Sequence, residues 1–168
     1  MSEFQGRRVT HSYTQSNKAT PEKVFPLLCP VREADWVPGW EYRMIYSQSG
    51  VAEAGCVFAT PNEGHGAGQS EPSETIWIVT EYDPAAFRIG YAWINPGLVA
   101  AQIKISLRAE GRDTAAGIRY TYTGLSEAGN KEVERYDEKW FKHKMQHWEK
   151  AINHYLGSGK LISADAWE

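Results

Sequence analysis

Two cysteines, Cys29 and Cys56, are all that this 168-residue sequence contains. That is too few for a disulfide framework, and both read as small buried hydrophobes kept as thiols in a reducing compartment. Positive charge is not in excess either: 18 Lys and Arg face 21 Asp and Glu, for a net charge of -3. The basic residues are scattered, so no field attracts phosphates and a nucleic-acid partner is not expected. No apolar run approaches the ~20 residues of a membrane span. The start, Met1-Ser2-Glu3-Phe4-Gln5, lacks the apolar stretch of a secretory signal, and a cytoplasmic location is expected. Repeats, low-complexity tracts and charge blocks are missing too. The expectation is one domain over residues 1–168 with a tail at 158–168, since a chain of about this length buries roughly two-thirds of its unfolded surface in a single core.

What is abundant is aromatic area: seven Trp, nine Tyr and five Phe, which suit either a bulky core or the lining of a cavity. Arg7 to Gln15 alternate in character, with Val9, His11 and Tyr13 on one side, and predict a first strand. Thr20-Pro21 then opens a short helix, Thr20 as N-cap and Pro21 where the first turn needs no donor. A second helical turn is expected within Val31 to Trp40. Six further strands follow between turn residues: Tyr42 to Ser47, Gly55 to Thr60, Ser73 to Tyr82, Phe87 to Ile94, Val99 to Ala109 and Gly117 to Gly124. Links such as Asn95-Pro96-Gly97 are short enough for hairpins, so the sheet should be antiparallel.

Alternation sorts the faces. Thr75, Trp77 and Val79, then Phe87, Ile89, Tyr91 and Trp93, then Ile103, Ile105 and Leu107, then Ile118, Tyr120 and Tyr122 all fall on one side, the side expected to face a helix. Pro61 to Pro72 carries three glycines and almost no apolar residue, which predicts a mobile lid. Ala128 to Leu156 contains no proline and repeats apolar positions at helical spacing, which predicts one long helix stopped by Gly157. On a wheel of about 100° per residue, Asp137 and Lys144 fall inside an apolar stripe with Val133, Trp140, Trp148 and Ala151. A charge facing a dry core is costly, so these two either grip one bound polar group or find local relief. The plainer alternative has the Lys144 stem lying on the Trp140 and Trp148 rings with its ammonium in solvent, and Asp137 paired to Arg135 or His143.

This order of a strand, two short helices, six strands and a long helix resembles the helix-grip fold of the START-like superfamily, which includes Bet v 1-like proteins and polyketide cyclases. Three segments carry the likeness: ATPEKVF, LLCPVREADWVPGW and HWEKAINHYLGSGKLI. The middle one resembles a P-x-x-E-x-x-W-x-x-G-W pattern through Pro30, Glu33, Trp36, Gly39 and Trp40. The resemblance implies an α+β fold, a seven-stranded curved antiparallel sheet wrapped around the long C-terminal helix. It also implies a hydrophobic ligand, lipid-, polyketide- or terpenoid-like, held between sheet and helix. Catalytic residues differ among members, so none is carried over.

The ring-bearing inner positions expected to line that space are Trp36, Trp40, Phe58, Trp77, Phe87, Tyr91, Trp93, Tyr120, Tyr122, Trp140 and Trp148, with Ile103 and Lys144. Glu33 sits among Val31, Trp36 and Trp40, where burial would raise its pKa and make it an acid or base; otherwise it caps a turn. Asp137 and Lys144 are the other chemistry-bearing candidates. His143 and His147 have the i, i+4 spacing of a metal pair, yet no third ligand and no H-E-x-x-H pattern accompany them, so no metal is expected. Gly64-His65-Gly66-Ala67-Gly68 lacks the Lys and following helix of a phosphate loop, and no cofactor is expected. Three functions stay open: a binding module, a cyclase- or dehydratase-like enzyme, and an interaction protein like the Hsp90 co-chaperones of the superfamily. The oligomeric state is open as well, a homodimer included.

Overall fold

The computed structural model describes residues 3–62 and 74–167. Strand β1 (Arg8–Asn17) leads into α1 (Pro21–Val24), a 3-10 turn at Phe25–Leu28, and α2 (Pro30–Glu33). The remaining strands are β2 (Arg43–Tyr46), β3 (Val57–Pro61), β4 (Glu74–Asp83), β5 (Arg88–Asn95), β6 (Val99–Glu110) and β7 (Asp113–Gly124). They form one seven-stranded sheet in the order β1-β7-β6-β5-β4-β3-β2, and every pair is antiparallel. Helices α3 (Glu127–Arg135), α4 (Glu138–Ser158) and α5 (Ala164–Trp167) close the chain. This is the expected helix-grip α+β architecture. No helix among the described residues is long and apolar enough to cross a membrane.

Period-2 alternation produces the inner face: Ile103, Ile105 and Leu107 are buried while Gln102, Lys104 and Ser106 between them are exposed. The last strand runs four residues earlier than expected. Ala115 and Ala116 are small enough to be buried where β7 meets β1 and β6, and the Thr114 hydroxyl donates to the Ala19 carbonyl (2.7 Å). Phe87 falls just outside β5, in a left-handed turn (φ 55°), with its ring against Phe25.

The long helix is two helices. At Asp137 the backbone is extended (φ -76°, ψ 173°), and the carboxylate accepts from the Trp140 N–H (2.7 Å), an N-cap that restarts the helix. Its far end passes Gly157 and stops at Gly159, whose φ of 67° is the left-handed cap glycine adopts freely. Helix α3 seats tightly on the end of β7. A Cβ on Gly129 would lie 1.8 Å from the Leu98 carbonyl oxygen, so only glycine allows the approach.

Helix α4 is tied to the β1 edge by side chains: Gln15 donates to the Met145 carbonyl (3.2 Å), and Asn153 donates to the Ser16 carbonyl (2.9 Å). Its buried residues are Phe141, Met145, Ala151 and Ile152. The expected surface tail is partly anchored, with Ile162 buried and the Lys150 ammonium donating to the Ala166 carbonyl (2.6 Å). The expected lid at Pro61 to Pro72 lies, beyond Asn62, outside the described residues.

Candidate functional site

Sheet register gathers the inner aromatic residues into rungs. Phe58 pairs with Trp77, Trp77 with Trp93, Trp93 with Ala101 and Ala101 with Tyr122, so four rings stand side by side across five strands. Phe58 and Trp77 stack at 5.5 Å, Trp77 meets Trp93 at 6.1 Å, and Trp93 meets Tyr122 edge-on at 6.1 Å. The neighbouring rung carries Val79, Tyr91, Ile103 and Tyr120. Tyr120 packs edge-on to Phe141 of α4 at 5.3 Å, and Trp148 meets Trp36 at 5.3 Å.

The second wall is the segment after β1. The Trp36 indole donates to the Leu27 carbonyl and the Trp40 indole to the Pro30 carbonyl, both at 2.8 Å, and the Tyr91 hydroxyl donates to the Leu28 carbonyl (2.5 Å). The two indole bonds brace the segment on itself, and the Tyr91 bond ties it to the sheet, with Glu33 on its inner side. Glu33 is buried, and its Oε2 is enclosed with no hydrogen-bond partner among the described residues. The turn that Glu33 would cap under the alternative reading is closed by backbone: the Arg32 and Glu33 N–H groups donate to the Cys29 carbonyl. Burial with no compensating bond raises the Glu33 pKa to about 8, so the group is mostly a neutral acid at pH 7. Tyr91 and Tyr120 are pushed up by burial first and by the Glu33 charge second, which places Glu33 near both hydroxyls. The Tyr122 hydroxyl is also enclosed and unpartnered among the described residues, and burial raises its pKa.

Lys144 is half-buried, with Nζ 5.2 Å from the centroids of both the Tyr120 and Trp140 rings. Burial lowers its pKa to about 8, and no carboxylate among the described residues is close enough to oppose that. The ammonium thus faces the sheet rather than bulk solvent.

The structure does not bring every expected residue here. Asp137 is exposed at the N-cap of α4 and grips nothing together with Lys144. Phe87 packs on Phe25 at the far end of the sheet. Trp140 is 36 % exposed and sits at the rim, its ring stacked on Tyr136 at 4.4 Å and meeting Tyr122 of the inner rung edge-on at 6.0 Å. Trp40 is half-buried against the core and lines a surface cleft of about 500 Å³ with Thr60 and Trp167. Another open cleft, of about 540 Å³, lies on the outer side of α4 beside Asp137 and His143. Neither contains the enclosed unpartnered polar atoms, so the inner face is the stronger site. His143 and His147 lie 4.3 Å apart, and no third metal-ligating side chain joins them among the described residues.

Phe141 and Met145 escape a wheel centred on Trp140, falling about 100° and 140° from it. Once Asp137 is read as a cap, residues 141, 145, 148 and 152 give the i, i+4, i+7, i+11 stripe directly.

No protein-family model and no curated protein matches this sequence. Solved structures do match in fold. Ara h 8.0201 superposes with a TM-score of 0.64 at 18% identity, over 90% of this chain and 99% of its own. The protein Mll3558 from Rhizobium loti gives 0.63 at 13% identity, over 90% and 99%. Norcoclaurine synthase from Thalictrum flavum, in complex with dopamine and hydroxybenzaldehyde, gives 0.62 at 15% identity, over 92% and 90%.

Proposed function

We propose that this helix-grip domain, sharing its fold with Bet v 1-like proteins, binds a hydrophobic or aromatic small molecule between the sheet and α4. One observation carries the reading: besides the Asn17 amide, the side-chain polar atoms enclosed without partners among the described residues are Glu33 Oε2 and Tyr122 Oη, both behind the wall of rings. Each such atom costs about 1–3 kcal/mol when left unbonded. A ligand with an apolar body and one or two polar atoms offsets that cost, while Trp77 and Trp93, both only half-buried, receive its body. The fold match to a protein solved with two aromatic compounds adds support.

A second reading rests on Glu33 itself. A neutral acid in a dry site can give a proton to a bound ligand and take it back, which is the chemistry of a cyclase or dehydratase. Binding is the prior step in both cases.

The probe is 2-naphthalenemethanol, a two-ring apolar body with one hydroxyl. It should quench the intrinsic tryptophan fluorescence saturably, with micromolar affinity. Trp93→Ala should weaken it about tenfold, the loss of roughly 1.4 kcal/mol of ring contact. Quenching that never saturates would mean that the rings fill the interior.

A further inference from the structure

Of the lysines in this chain, Lys144 is the one that is not exposed. It stands on α4 one turn from Trp140, Phe141 and Trp148 and next to Met145, and Phe141 and Met145 are almost fully buried. Its nitrogen reaches the space between the helix and the sheet, equidistant from the Trp140 ring of one and the Tyr120 ring of the other. No acid among the described residues pairs with it. Glu33, whose charge Tyr120 feels, is mostly neutral at pH 7.

We infer that Lys144 is a carbonyl-capturing amine, placed so that an aromatic aldehyde or ketone held on the inner face forms a reversible imine with Nζ. This rests on the ligand-binding reading above and adds the class of ligand to it. A carboxylate would have to shed its water for a single cation among rings, whereas a neutral carbonyl avoids that desolvation. The lowered Lys144 pKa agrees, since an appreciable share of the side chain is then the free amine that attacks carbonyls. The step balances without a redox partner. The Nζ lone pair forms a bond to the carbonyl carbon, an amine proton passes through water to the carbonyl oxygen, and the carbinolamine then loses that oxygen as water to leave C=N. Added borohydride supplies hydride and makes the bond permanent.

The test uses the full chain, 2-naphthaldehyde and sodium borohydride at pH 7.5, read by intact mass and peptide mapping. The expected product carries one naphthylmethyl group per chain, mapped to Lys144, and excess 2-naphthalenemethanol suppresses it about tenfold by occupying the same space. Lys144→Met, verified as folded by circular dichroism, should show labelling only at the level of exposed lysines. Labels spread over exposed lysines and indifferent to the alcohol would overturn the inference. If the alcohol quenches fluorescence saturably but Lys144 stays unlabelled, imine formation falls and the ligand reading stands. If the alcohol fails to bind as well, both fall together.

Discussion

Glu33→Gln is expected to stabilise the protein more at pH 7.5 than at pH 4.5, by about 3 kcal/mol, because one pKa unit of difference between folded and unfolded chains is worth about 1.4 kcal/mol. The folded group titrates near 8 against an ordinary 4.5. Between those values the unfolded chain releases this proton while the folded chain keeps it. Folding therefore costs more as pH rises through the window, and the cost is absent below about pH 4. The amide of the variant cannot ionise, so the difference between variant and parent isolates this one group. Denaturant unfolding of both proteins at the two pH values measures it. An unchanged difference would show that Glu33 is solvated or paired in solution, and the buried-acid account would be wrong.

Lys144→Met should give the opposite slope. A lysine whose folded pKa is about 8 rather than 10.5 destabilises the fold whenever the ammonium form prevails in the unfolded chain. The cost is fully present below about pH 8 and fades as pH rises toward 10.5. Methionine keeps the stem and removes the charge, so the variant should be more stable by about 1–2 kcal/mol at pH 7, with the gain gone near pH 10.5. Residual exposure and the two ring faces keep the figure well below that for Glu33. The same variant should bind 2-naphthalenemethanol several-fold more weakly, because an anchor for the hydroxyl is gone. A variant with parental stability across the whole range would place the ammonium in free solvent, the plainer alternative that the sequence also allowed.

These two titrations depend on residues the sequence exposed to different degrees. The inner rungs were legible because strand alternation is strict: Trp77, Trp93, Tyr120 and Tyr122 could be assigned to one face without knowing the partners, and register then placed them together. Glu33 was legible as a carboxylate among tryptophans. That it caps nothing was not, because backbone closure of its turn through the Cys29 carbonyl leaves no trace in residue type. Lys144 fell on the inner stripe, but its supposed companion Asp137 did not. A side chain that can accept from the N–H three residues ahead ends one helix and starts another, and periodicity read across that point rotates every later residue. The rotation moves Trp140 inward and hides Phe141 and Met145. The cleft that Trp40 lines was not legible, because no pattern in the segment announces its indole bond to the Pro30 carbonyl.

The indole N–H signals of the tryptophans, followed by nuclear magnetic resonance during titration with 2-naphthalenemethanol, test the central claim most directly, because the tryptophans separate the inner face from the surface clefts. Trp93 stands on the inner rung, Trp40 and Trp167 line the outer cleft, and the Trp77 indole, which donates to the Thr60 hydroxyl (2.9 Å), adjoins both. A ligand between sheet and helix predicts a saturable shift of the Trp93 signal, with Trp40 and Trp167 unmoved. Saturable shifts at Trp40 and Trp167 with Trp93 unmoved, or none at any indole, would contradict it.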